Sequence, residues 1–192
     1  MTFYDNQENV EQYVAMAQGY DGQELVALLR EHLAAGASVL ELGMGPGVDL
    51  DLLRTTYSVI GSDRSTIFLE RYQRTHPEAT LLQLDAVTLA TTMQVDAIYS
   101  NKVLHHLTVA ELQRSFARQA EILHDGGLAL HSFWYGAQEE EHEGLLFTYH
   151  TEESLQPLLA DHFDVLVSHQ YTEMDEGDSL VLLLRKKEPP AA

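Results

Sequence analysis

The chain has 192 residues, 45% of them apolar, and no cysteine. That length predicts one domain with a sizeable core, and the lack of thiols excludes a disulfide scaffold, a thiolate zinc site and a cysteine nucleophile. The formal net charge of −19, from 30 acidic and 11 basic side chains, repels phosphate backbones, so nucleic acid is not an expected partner.

In chain order, polar helix-forming residues over 8–18 carry Val10, Tyr13, Val14 and Ala17 at spacings of three and four, with Asn6 or Asp5 as the cap. A second helix is predicted over 23–35 from Leu25, Leu28, Leu29 and Leu33, stopped by Gly36. Strands are then predicted over 38–42, 57–60, 80–84, 95–99 and 128–134. Between them lie a helix from Ser65 to Thr75 and one from Thr108 with Leu112, Phe116, Ala120 and Leu123 on one face, ended by Asp125-Gly126-Gly127. Thr151 opens a last helix, with Glu152 and Glu153 in the first turn, where the macrodipole favours acids. The runs 163–171 and 180–184 leave no room for a crossover helix and are expected to pair antiparallel.

This alternation predicts an α/β fold: a Rossmann-like, doubly wound, mostly parallel sheet with helices on both faces and a C-terminal antiparallel hairpin. Residues 1–192 are read as one domain, with 1–21 a helical cap, 136–150 a substrate loop and 188–192 a frayed tail. The basic run Arg185-Lys186-Lys187 reads as the polar end of a terminal strand. The first five residues lack the basic start and apolar stretch of a signal peptide, and no apolar run reaches bilayer length. A cytoplasmic protein without a membrane partner is expected.

The segment Glu41-Leu42-Gly43-Met44-Gly45-Pro46-Gly47 carries the strongest local signal: a strand running into three glycines at alternate positions. Glycine lets the chain turn sharply and lets a ligand approach the backbone. Asp63 follows the second strand and Asp85 the third, so the loop and both acids fall on the carboxyl edge of a parallel sheet, where ligands bind. Val48 stands where the dinucleotide fingerprint needs glycine or alanine, and no phosphate-loop motif is present. Glu41 beside the loop suits a cationic ligand better than a pyrophosphate.

These segments resemble class I S-adenosylmethionine-dependent methyltransferases of the small-molecule type. Glu41-x-Gly43-x-Gly45-x-Gly47 is similar to the family's first motif, Gly61-Ser62-Asp63-Arg64-Ser65 to the segment with its ribose-binding acid, and Leu84-Asp85-Ala86 to the segment that meets adenine. The run from Asp96 to Leu107 resembles the fourth motif, and His124-Asp125-Gly126-Gly127-Leu128 the turn into the fifth strand. The resemblance spans about residues 22–187 and implies a seven-stranded sheet with one antiparallel strand. It implies S-adenosyl-L-methionine as cofactor, S-adenosyl-L-homocysteine as product, and a small organic methyl acceptor.

By the same resemblance, Glu41, Gly43, Met44 and Gly45 meet the methionine part. Asp63 and Arg64 hold the ribose, Asp85 and Ala86 read the adenine, and Ser100 and Asn101 lie near the methionine end. Tyr4 and Tyr13 would close over the cofactor. In-line methyl transfer needs alignment and exclusion of water, and a base only where the nucleophile must lose a proton early. His105 and His106 are the candidate bases, of which one at most faces the site. Lys102, Trp134, Tyr135, Tyr149 and His150 are candidate acceptor contacts. No metal site is expected, because the histidines show no metal-ligand spacing. A monomer or homodimer fits equally well. Two alternatives stay open: a non-catalytic S-adenosylmethionine-binding or regulatory protein, and a transferase using a relative of the cofactor.

Overall fold

The structure, a computed structural model, describes residues 3–188. Residues 189–192 of the expected tail, and the first two residues, lie outside the described residues. A short 3-10 turn, Phe3–Asp5, leads into α1 (Gln7–Met16), which Asn6 caps by accepting from the Glu8 and Asn9 amides. Next come α2 (Gln23–His32), β1 (Ser38–Leu42), α3 (Val48–Arg54), β2 (Ser58–Asp63), α4 (Thr66–Thr75), β3 (Thr80–Gln83) and β4 (Val95–Asn101). After a 3-10 turn at Leu104–His106 come α5 (Val109–Ile122), β5 (Leu123–Trp134), β6 (Glu139–His142) and β7 (Leu145–Thr148). The chain ends in α6 (Glu152–Leu159), β8 (Phe163–Tyr171) and β9 (Ser179–Lys186).

Seven strands form one sheet in the order β3-β2-β1-β4-β5-β9-β8. The first five run parallel, and β9 pairs antiparallel with both β5 and β8, as the α/β reading expected. Strand β1 has β2 on one side and β4 on the other, so chain order reverses between β1 and β4. A crevice opens at the carboxyl ends of strands flanking such a switch point.

Alternate residues of β1 feed opposite cores. Leu40 and Leu42, with Ile98, Ala129 and Phe133, pack under Leu112 and Phe116 of α5 and Leu155 of α6. Val39, with Ala97, Tyr99 and Leu130, packs under Leu25, Val26 and Leu29 of α2 and Leu53 of α3. Full burial of one such side chain contributes about 1.5–3 kcal/mol, so the sheet is held from both faces. Capping boxes at Thr108–Glu111 and Thr151–Ser154 start the two helices of the first face.

Four local expectations changed. Helix α2 stops at His32, because Leu33 turns extended and packs against the second core. The Asp125–Gly127 turn is a bulge inside β5, where Val95 pairs with Leu123 and Ala97 with Leu128. A seven-residue helix, α3, follows the glycine loop directly and has no counterpart among the predicted elements. The segment 136–150, expected as a loop, contains the antiparallel β6–β7 hairpin. Its two-residue turn, Glu143 and Gly144, has φ of 53° and 78°, the positive values of a type I′ turn.

Candidate functional site

A cavity of about 390 Å³ lies beside the switch point. Its walls come from the glycine loop (Gly43, Gly45), the ends of β2 and β3 (Asp63, Arg64, Asp85, Ala86), the end of β4 (Asn101, Lys102) and His106. Tyr4 and Tyr13 of the N-terminal segment and Gly144, Leu145 and Leu146 of the β6–β7 hairpin complete it. A second cavity of about 110 Å³ adjoins it and shares Tyr13, Gly43, Gly45, Asn101 and Lys102. That pit is acidic, lined by Asp21, Glu41, Asp49 and Glu173.

The glycine loop is held by Asp63. Its Oδ2 accepts from the Gly45 amide at 2.9 Å and its Oδ1 from the Ser65 amide at 2.8 Å. Burial raises the Asp63 pKa, and the amides of Ser65, Gly45 and Arg64 offset part of that rise. Gly45 has φ of 49°, and a Cβ there would find only Tyr13, 3.8 Å away, so the loop leaves open space for a ligand against its backbone.

Glu41 is 3% exposed, and its Oε2 has no hydrogen-bond partner. Burial raises its pKa well above the usual range, and Asp49, Asp63 and Asp51 add to the rise. An unpaired buried carboxyl oxygen is costly, and a cation in the acidic pit would satisfy it. Asp49 is already engaged: it accepts from the Gly22 amide at 2.7 Å, from Tyr99 at 2.7 Å and from Asn101 Nδ2 at 3.0 Å. It thereby ties the start of α2 to the end of β4. Ser65, expected as a helix cap, donates instead to the Tyr4 carbonyl at 2.6 Å and so tethers the N-terminal segment over the cavity. Burial pushes the Tyr13 hydroxyl up to about 12, with nearby Asp63, Asp49 and Glu173 adding to the shift, so Tyr13 stays neutral at the rim.

The other expected residues divide. His106 lines the cavity, and its Nδ1 lies 2.7 Å from the Leu146 carbonyl of β7. A carbonyl only accepts, so Nδ1 carries the proton and Nε2 keeps its lone pair. Burial lowers the His106 pKa, and the Leu146 contact opposes the shift. His105 does not line the cavity: it is 2% exposed, stacks on Phe147 at 5.3 Å, and has both ring nitrogens unbonded. Lys102 is committed to its neighbours: its ammonium meets Glu173 at 2.8 Å, Ser179 Oγ at 2.6 Å and the Trp134 ring at 3.3 Å. Trp134 therefore packs on Lys102, and neither Trp134, Tyr135 nor Tyr149 lines either cavity. Met44 lines the acidic pit, and Ser100 is fully buried against His131. His150 is buried, with its Nε2 unbonded.

The sequence pointed to neither Asp49, Phe68 nor Glu173, and it placed Gly144 to Leu146 in a substrate loop over 136–150 without the hairpin. The Glu143-Gly144 pair, flanked by two short extended runs, is the one signal that points to the hairpin. Among the described residues no group of three or more His, Asp or Glu side chains is placed to hold a metal, and no helix is long and apolar enough to cross a membrane.

The family described as methyltransferase domain matches residues 39–127, from β1 to the start of β5 proper. The match bears out the resemblance to class I enzymes drawn from the glycine loop and Asp63. An uncharacterized methyltransferase of Geobacillus kaustophilus is 31% identical over 120 residues, covering 61% of this chain. The chain spans about half, 54%, of that relative's length. In fold, the chain is similar to the 1,6-didemethyltoxoflavin-N1-methyltransferase of Burkholderia thailandensis, with a TM-score of 0.78 and 22% identity over 93% of this chain and 83% of that one. It is also similar to the N-methyltransferase NodS of Bradyrhizobium japonicum (0.74, 15% identity, 97% and 100% covered). The magnesium protoporphyrin IX methyltransferase of Synechocystis is a third such structure (0.73, 17% identity, 96% and 94% covered). At these identities the three support the fold of the methyltransferase domain.

Proposed function

We propose that the protein transfers a methyl group from S-adenosylmethionine to a small organic acceptor. The observation that carries this reading is the pair of joined cavities at the switch point. One has carboxylates at two strand ends and apolar walls, as a nucleoside requires. The other is an acidic pit with an unpaired Glu41 oxygen, as a cationic amino-acid end requires. A ligand with adenosine at one end and a sulfonium and ammonium at the other fits both, whereas a pyrophosphate would meet repulsion from Glu41, Asp49 and Glu173.

When bound, S-adenosylmethionine supplies a methyl group on a sulfonium that is already a good leaving group. In this reading Asp63 and Arg64 hold the ribose, Asp85 and Ala86 meet the adenine, and Gly43, Gly45, Glu41, Met44 and Asn101 hold the methionine end. Tyr4 and Tyr13 cover the cofactor and exclude water. The acceptor enters under the β6–β7 hairpin, against Leu107, Leu145 and Leu146. His106 Nε2 would serve as the base that takes a proton from the acceptor, because Leu146 holds the opposite nitrogen protonated and leaves this lone pair free. Lys102 positions the wall by holding Trp134 and Glu173 and is not a free charge for the acceptor. A small acceptor is supported by solved neighbours named for 1,6-didemethyltoxoflavin and for magnesium protoporphyrin IX. The net charge of −19 argues against nucleic acid.

The test is incubation of the protein with methyl-labelled S-adenosylmethionine and a cell metabolite extract, followed by mass spectrometry of labelled products. A labelled small molecule that appears only with the protein is expected. Tight cofactor binding with no labelled product would replace this reading with a non-catalytic binding protein.

A further inference from the structure

The loop between β3 and β4, residues 84–94, brings Asp85 and Ala86 to the larger cavity without a helix or strand of its own. Asp85 Oδ1 braces the loop from within, accepting from the Val87 and Thr88 amides at 3.0 and 3.1 Å. Three loop carbonyls are held from α5. Ser115 Oγ donates to the Ala86 carbonyl at 2.6 Å, Arg118 Nε donates to the Leu89 carbonyl at 3.1 Å, and the same guanidinium reaches the Thr91 carbonyl. Ser115, Arg118 and Gln119 share one helix face through their i, i+3, i+4 spacing.

Behind Ser115 runs a line of buried hydrogen bonds. Gln119 Nε2 donates to Ser115 Oγ at 3.0 Å, His131 Nε2 lies 2.8 Å from Gln119 Oε1, and Ser100 Oγ lies 2.8 Å from His131 Nδ1. An amide oxygen only accepts, so His131 carries its proton on Nε2, and the Ser100 hydroxyl must donate to Nδ1. Every donor therefore points the same way, from Ser100 through His131, Gln119 and Ser115 to the Ala86 carbonyl. All four side chains are fully buried, so water does not compete for any link. Serine hydroxyls inside helices commonly turn back to a carbonyl of the preceding turn. Here Gln119 occupies the Ser115 oxygen and leaves its proton for Ala86.

We infer that Ser115 is a positioning residue for nucleoside recognition, its hydroxyl aimed at the Ala86 carbonyl by the Ser100–His131–Gln119 relay. This rests on the reading that the larger cavity takes the adenosine of the cofactor. The relay sets where the second oxygen of Asp85, to which no hydrogen bond runs among the described residues, meets the adenine 6-amino group.

The experiment compares wild type, Ser115→Ala and Ser115→Thr by calorimetry with S-adenosylhomocysteine and with S-inosylhomocysteine, which lacks the amino group. Amide hydrogen exchange over residues 84–89 and thermal melting accompany it. Ser115→Ala is expected to melt cooperatively, to bind S-adenosylhomocysteine about fivefold more weakly, the loss of one neutral hydrogen bond, and to discriminate less between the two ligands. Its Val87 and Leu89 amides should exchange faster, and Ser115→Thr should restore wild-type values. A folded Ser115→Ala variant with wild-type discrimination, or a threonine variant no better than alanine, overturns the inference. If wild type binds neither ligand, the methyl-donor reading fails on its own. Unchanged exchange over 84–89 in Ser115→Ala would then still overturn the relay.

Discussion

On the β1–β3 side of the switch point lie the buried carboxyls Glu41 and Asp63; on the β4–β7 side lie the buried imidazoles His105, His131 and His150. Burial pushes Glu41 and Asp63 up, and it pushes His105, His106, His131 and His150 down, His131 to about 3. The carboxyl side has its strongest acceptors aimed at backbone amides and at a pit that a cation would fill. The imidazole side is lined with rings, Phe147 among them, its Lys102 ammonium is neutralised by Glu173, and it suits a neutral acceptor that must give up a proton. The two sides also respond to pH with opposite sign. Below pH 6.5 the unfolded chain protonates a histidine that the fold keeps neutral, so each such residue makes stability fall with falling pH. For His131 this continues down to about 3, at about 1.4 kcal/mol per pH unit. Glu41, raised in the fold, destabilises as pH rises above its unfolded value near 4.5.

The largest expected effect separates the two sides. His106→Gln should lower the rate of methyl transfer about 100-fold while leaving the calorimetric affinity for S-adenosylhomocysteine within about twofold. Equal losses of both would place His106 in the cofactor half. Asp63→Ala should do the reverse and weaken cofactor binding about 10- to 100-fold, since it removes a carboxylate that accepts from two buried amides. Glu41→Gln should raise the stability of the unliganded protein by about 1 kcal/mol at pH 8, with no gain near pH 4, in urea unfolding at the two pH values. It should also weaken S-adenosylmethionine binding. Stability that is unchanged at both pH values would mean the Glu41 oxygen is satisfied. Gly144→Ala should be mildest, about 1 kcal/mol of backbone strain at φ 78° with open space around it. It should raise the acceptor KM and leave cofactor affinity alone.

The same division marks how far the sequence could be read. The half proposed for the cofactor is legible because its demands are local: a tight turn needs glycine at Gly43 and Gly45, and a strand-end acid is visible at Asp63 and Asp85. The parallel body of the sheet was legible in the alternation of strands and helices, and its antiparallel end in the short connection between β8 and β9; the strand order was not. The half proposed for the acceptor depends on distant partners. Lys102 looks like a free cation until Glu173, from the turn between β8 and β9, and Ser179 of β9 close on it. His105 and His106 are adjacent and identical in type, and what distinguishes them, cavity exposure and the Leu146 carbonyl 40 residues on, comes from the tertiary fold. Strand β6 has four exposed polar residues and no alternation, so its pairing with β7 leaves no hydrophobic pattern to read. Helix α3 is too short for a periodicity to show.

The most direct test of the central claim is a calorimetric titration of the unmodified protein with S-adenosylmethionine and, separately, with a nicotinamide dinucleotide. Saturable binding of S-adenosylmethionine, weakened about 10- to 100-fold in Asp63→Ala, and no binding of the dinucleotide are expected. Binding of the dinucleotide without any S-adenosyl compound would contradict it.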